Sequence, residues 1–171
     1  PKLLTEVNAW QIRSTLKIGL SDTIGQVFAS YGFILSSISH NFKGAEEMMT
    51  LAGNLDKRFR NVSGAVATRF IHMALTRHWH SPIADNTAHL EENYSLSRDV
   101  GAIQIAFYSL ATSDIFKVFS GLPLEQIRQK AEEHFVACTD KNQLMMVTYE
   151  RMVLQFCDDL CRPIPAESIM D

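Results

Sequence analysis

The chain has 171 residues, 46% of them hydrophobic and 20% charged, which supplies enough apolar material for one globular unit and excludes a disordered segment. A net charge of −3, with acids and bases interspersed, excludes a field strong enough to make nucleic acid or an anionic membrane the principal partner. There is no run of about 18 apolar residues and no signal-peptide order at the N-terminus, so a cytoplasmic protein without a membrane span is expected.

Apolar spacing predicts helices throughout and no convincing strand. Residues 1–20 read as a leading helix. After Ser21 and Asp22, both good N-caps, Ile24, Val27, Phe28, Tyr31 and Leu35 fall on one stripe. The next helix begins near Gly44 and carries Met48, Ala52, Leu55 and Phe59 on one side. Ser63 is the expected cap of a helix bearing Val66, Phe70, Met73 and Ala74, which stops at Trp79. Pro82 suits the start of its partner, with Ile83, Leu90 and Tyr94 as the buried face. Asp99-Val100-Gly101 then opens another pair, with Ile103, Ala106, Phe107 and Leu110 before a break, and Leu124, Ile127, Ala131 and Phe135 after it. The break itself, Phe119-Ser-Gly-Leu-Pro-Leu124, reads as a tight helix-to-helix turn in which Gly121 takes a left-handed stop and Pro123 starts the next helix. Thr139 or Asp140 is the expected cap of a last helix with Met145, Tyr149, Met152, Val153 and Phe156, closed by Pro163 and Pro165.

The first helices of successive pairs start near Asp22, Ser63, Asp99 and Asp140, a period of about 40 residues. In an all-α chain of about eight helices such a period predicts stacked antiparallel hairpins, each burying its stripe against its neighbours. The expected segments are a leading helix at 1–20, hairpins at 21–60, 61–99 and 100–139, a last helix at 140–162 and a tail at 163–171. A non-repeating bundle is the competing architecture. Because the first residue is Pro1, the segment reads as part of a longer polypeptide.

Chemical motifs are scarce. Cys138, Cys157 and Cys161 are too few and too C-terminal for a disulfide framework, so the Asn61-Val-Ser and Asn93-Tyr-Ser sequons read as chance matches. A metal site would draw on His78, His80 and His89 around Trp79. However, there is no His-Glu-x-x-His, no histidine has a glutamate three residues before it, and residues two apart diverge on a helix. Nucleophile elbows and phosphate-binding glycine loops are absent as well. The expectation is therefore no catalytic residue, no metal and no cofactor. Stacked hairpins offer an extended face to another protein, and Tyr31, Trp79, Tyr94 and Tyr108 are the candidate interaction residues.

One resemblance adds to this reading. Ala29-Ser-Tyr31-Gly32, Phe42-Lys-Gly44-Ala45, Arg69-Phe70, Trp79, Pro82, Tyr94, Asp99, Ala106, Tyr108 and Phe119-Ser-Gly-Leu-Pro-Leu124 are similar in order and spacing to the helical region of large bacterial signalling proteins. In that family a P-loop signalling ATPase precedes a tetratricopeptide-like array, and GAF with histidine kinase or diguanylate cyclase domains follows. The resemblance runs from about Asp22 to Pro165 and departs at Arg98-Asp99-Val100-Gly101, where the family usually has Gly-Asp. It implies an α-solenoid without an active site: a regulatory scaffold whose partners are other proteins or neighbouring domains, with homo-oligomers also allowed. Two alternatives compete with it. One is a small helical protein holding a metal or haem at His78-Trp79-His80; the other is a viral or effector protein that binds a host factor.

Overall fold

The computed structural model describes residues 2–162; Pro163 and Pro165 lie outside the described residues. Among the described residues eight α-helices follow one another: α1 (Lys2–Ile18), α2 (Ile24–Ser37), α3 (Phe42–Phe59), α4 (Val62–Ile71), α5 (Ile83–Asp99), α6 (Ile103–Phe119), α7 (Leu124–Asp140) and α8 (Leu144–Cys161). No strand occurs among the described residues, and none of their helices is long and apolar enough to cross a membrane.

Short junctions set the geometry. Six of the seven contain a residue at positive φ: Gly19, His40, Arg60, Gly101, Gly121 and Asn142. Gly121 takes φ +73°, so the turn read at Phe119–Leu124 forms as expected. Arg60 and His40 reach the same region with a Cβ attached, a choice that local sequence signals do not reveal. After Asp56, Ser97 and Cys138 the chain closes a six-residue loop, with Asn61, Ala102 and Gln143 donating their backbone N–H to those carbonyls at 3.2, 2.8 and 2.9 Å.

The expected caps shift by a few residues. Asn41 caps α3 and Asn61 caps α4, each side chain accepting from the amide three residues on, Gly44 and Gly64. Ser63 is therefore inside α4, and the last helix is led by Gln143 rather than by Thr139 or Asp140, which still belong to α7. Thr23, not Ser21 or Asp22, precedes α2.

Helix starts recur with a fixed interval. Phe42, Ile83 and Leu124 begin α3, α5 and α7 at 41-residue spacing, and Val62, Ile103 and Leu144 begin α4, α6 and α8 at the same spacing. Contacts arrange these helices in two rows. Helices α2, α4, α6 and α8 lie side by side, while α3, α5 and α7 each bridge two members of that row. The tightest antiparallel partners are α2 with α3, α5 with α6 and α7 with α8. The α4–α5 contact is looser because α4 unwinds at its end, through a π turn at His72–Thr76 and a 3₁₀ turn at Arg77–Trp79.

Close approach depends on small side chains. Ala29, Ala45, Ala52, Ala106 and Ala131 are fully buried. On α2 the most deeply buried positions are Ile24, Gly25, Ala29, Gly32, Ile34 and Ser36, so the expected stripe of Val27, Phe28, Tyr31 and Leu35 is only half-buried. The reason is that α2 is covered by α1, α3 and α4 together, and the glycines let α3 come near. A Cβ on Gly32 would stand 3.0 Å from the Ala45 carbonyl oxygen.

Candidate functional site

The second half of the chain encloses a buried polar centre. Asp114 and Lys117 come from α6, His134 from α7 and Glu150 from α8. Asp114 and Glu150 are fully buried. Asp114 binds His134 through Oδ2 and Nδ1, and its Oδ1 accepts from the Lys117 ammonium at 2.9 Å. Lys117 also reaches Glu91 of α5 at 2.6 Å, which links the centre to solvent because Glu91 is exposed. Neither oxygen of Glu150 has a hydrogen-bond partner.

The charges of this group are interdependent. Burial raises the Asp114 carboxyl, but His134 and Lys117 outweigh it and hold the group below its ordinary range. Burial alone would lower Lys117; Asp114 and Glu91 outweigh that and hold it up. Glu150 is pushed up to about 9, first by burial and then by the neighbouring Asp114 charge, with Lys117 opposing. Cys138, one turn beyond His134 on α7, is pushed up to about 12 by burial and by the two carboxylates, so it stays a thiol. At neutral pH the centre therefore holds the Asp114 carboxylate, a protonated Glu150 carboxyl and the Lys117 ammonium around the His134 ring. Donor atoms of Asp114, His134 and Glu150 all lie within 4.8 Å of one another.

The histidine-rich turn is arranged differently. His72 and His80 approach the same Glu46 oxygen of α3, at 3.2 and 3.8 Å, while His78 packs on Trp79 and Phe116. His72 and His78 are held below the ordinary imidazole range by burial, against the Glu46 charge in the case of His72. His89 is half-buried on α5. Among the described residues, His78, His80 and His89 do not form a group of close donors. Trp79 stacks on Phe42 at 5.3 Å, which anchors the turn against α3.

A third feature is apolar. Along the α4–α6–α8 row, two adjoining hollows of about 310 and 210 Å³ share Ile115 and Tyr149. Their linings run from Phe70, Tyr108 and Met145 at one end to Phe119, Met152 and Phe156 at the other. Tyr108 is thus the candidate interaction residue that reaches the groove. Trp79 is exposed but outside it, Tyr94 packs edge-on to Phe107 beneath Arg98, and Tyr31 is half-buried on α2.

Both outer helices leave apolar side chains uncovered. On α8 these are Leu144, Met145, Tyr149, Met152, Phe156 and Leu160, the last five on one stripe; on α1 they are Leu3, Leu4, Val7, Trp10, Leu16 and Ile18, of which Leu3, Val7, Trp10 and Ile18 lie on one stripe. Helix α1 turns Asn8 inward, where its amide donates to the Val27 carbonyl at 3.0 Å, and its large apolar residues outward. The α8 stripe and the α1 stripe share one spacing, i, i+4, i+7, i+11 and i+15, with Ser14 completing the second.

Sequence reasoning missed the buried centre because its members stand 20 and 16 residues apart on three helices. One signal was present: Ser109, Ser113 and Lys117, spaced by four, put a polar line with Asp114 through the otherwise apolar α6. No protein-family model matches the chain, and neither a curated protein nor a solved structure matches it.

Proposed function

We propose that this chain is a non-catalytic protein-interaction scaffold that works by receiving an amphipathic helix in the groove between α6 and α8. The observation that carries this reading is the groove itself, continuous across α4, α6 and α8 and lined almost wholly by apolar side chains. An exposed apolar surface of this length is costly to hold in water, and a helix with residues at i, i+4, i+7 and i+11 covers it.

The occupant is the α1 stripe of a second copy. It has the matching spacing, and in a parallel register Lys17 of α1 comes level with Asp159 of α8, a complementary pair. The wider role, as a coupling arm in a multidomain signalling protein, is supported by the resemblance of Asp22–Pro165 to the helical regions of such proteins.

Light scattering after size exclusion tests the reading. The expected result is concentration-dependent association that Met152→Glu and Trp10→Glu each abolish. A chain that stays monomeric at about 100 µM, a range that includes weak complexes, would overturn it. So would association that neither substitution alters.

A further inference from the structure

We propose that Asp114, His134 and Glu150 form a binding site for one divalent transition-metal ion. The proposal is independent of the groove, because none of these three residues lines it.

Two separate observations support it. The first is convergence: three side chains of metal-ligating type, from three helices, bring one donor atom each to within 4.8 Å of the others. Zinc binds nitrogen and carboxylate oxygen at about 2.0–2.2 Å, so two of its ligands stand at most about 4.4 Å apart. Small side-chain rotations close the remaining difference. The second is that Glu150 is fully buried with neither oxygen partnered, although buried polar atoms are nearly always satisfied. The Lys117 ammonium does not relieve it, because it is already shared between Asp114 and Glu91. A cation between Glu150 and Asp114 gives the Glu150 oxygens a partner.

Ligand chemistry narrows the class. One imidazole with two carboxylates suits zinc, iron(II) or manganese, while calcium prefers all-oxygen cages and copper(I) prefers thiolates. Access is provided by a cleft of about 310 Å³ lined by Glu91, Lys117, Gln126 and Lys130, with Lys117 standing between it and Asp114. Glu91 places a negative charge at its mouth.

The test uses the full chain, purified without a tag and stripped with a chelator, then titrated with Zn²⁺ by calorimetry. One ion per chain is expected. Glu150→Gln, which keeps the shape of the buried side chain, and His134→Ala should each weaken binding by at least about 100-fold, the upper end of what loss of an outer-shell partner alone costs. The His72→Ala/His80→Ala double variant removes the Glu46 cluster and should bind as the parent does. Failure of the parent chain to bind stoichiometric Zn²⁺ would overturn the assignment. Binding lost with His72 and His80 but kept in Glu150→Gln would do the same. A second readout needs no variant: Co²⁺ in the parent chain should give d–d bands without a thiolate charge-transfer band, and the presence of that band would show a cysteine ligand and overturn the three-residue assignment.

Discussion

Asn93→Ala is the substitution whose effect can be worked most directly from the structure. Asn93 is fully buried on α5, and its amide donates to the Val66 carbonyl of α4 at 3.1 Å and to the Ser109 hydroxyl of α6 at 2.9 Å. One side chain thus ties α4, α5 and α6 together. Losing two hydrogen bonds costs about 2 kcal/mol, and the void left by the amide adds about 1. Relief of the unpartnered Asn93 side-chain oxygen returns part of this, on the order of 1 kcal/mol. The net expectation is a loss of about 2 kcal/mol. Urea unfolding measures it: with a slope near 2 kcal/mol/M, the midpoint should fall by about 1 M without a change of slope. A double cycle with Ser109→Ala should show coupling of about 1 kcal/mol, since the two changes delete one shared bond. A midpoint shift below about 0.2 M, or strict additivity in the cycle, would refute the tie between α4, α5 and α6. The same geometry disposes of the Asn93-Tyr-Ser sequon, because the amide nitrogen that glycosylation needs is inside the protein.

Gly25→Ala should destabilise by about 1–3 kcal/mol, since its Cβ would stand 2.1 Å from the Asp56 carboxylate of α3; combining it with Asp56→Ala should recover much of the loss in thermal melts. Asp56 is itself held above the ordinary carboxylate range by burial, with the Thr68 hydroxyl only partly offsetting that. A raised folded value means its contribution is complete below the unfolded value near 3.8 and is lost as pH climbs through the raised one, so Asp56→Asn should out-melt the parent at pH 7 by a margin that shrinks toward pH 4. An advantage independent of pH, read from melting temperatures across that range, would show that ionisation of Asp56 is not its cause. Gly121→Val should cost about 1–3 kcal/mol through backbone strain alone, because φ is +73° and no atom lies within 4 Å of the added Cβ; an unchanged melting temperature would contradict the left-handed assignment.

What the sequence determined by itself is the list of helices and where most of them stop. Gly121 and Pro123 mark one junction and Pro82 another, because a missing Cβ or a fixed φ acts within a few residues and needs no partner. Recurrence of these marks at close to the observed 41-residue interval is likewise a property of the linear chain. Caps were legible in kind but not in place: Asn61 and Ser63 are both capping types, and only the loop closed on the Asp56 carbonyl selects the asparagine. The histidine-rich turn was conspicuous because its residues adjoin in sequence, yet the fold spreads them over Glu46, Trp79 and Phe116. Tertiary structure alone decided the rest. Which apolar stripe is covered depends on how many neighbours a helix has, so α2 is buried on several faces while α1 and α8 keep theirs in solvent. Asp114, His134 and Glu150 meet because buried small residues such as Ala106 and Ala131 let α6, α7 and α8 approach closely. Such a meeting is fixed by the sum of packing over three helices, and no local stretch of the chain encodes it.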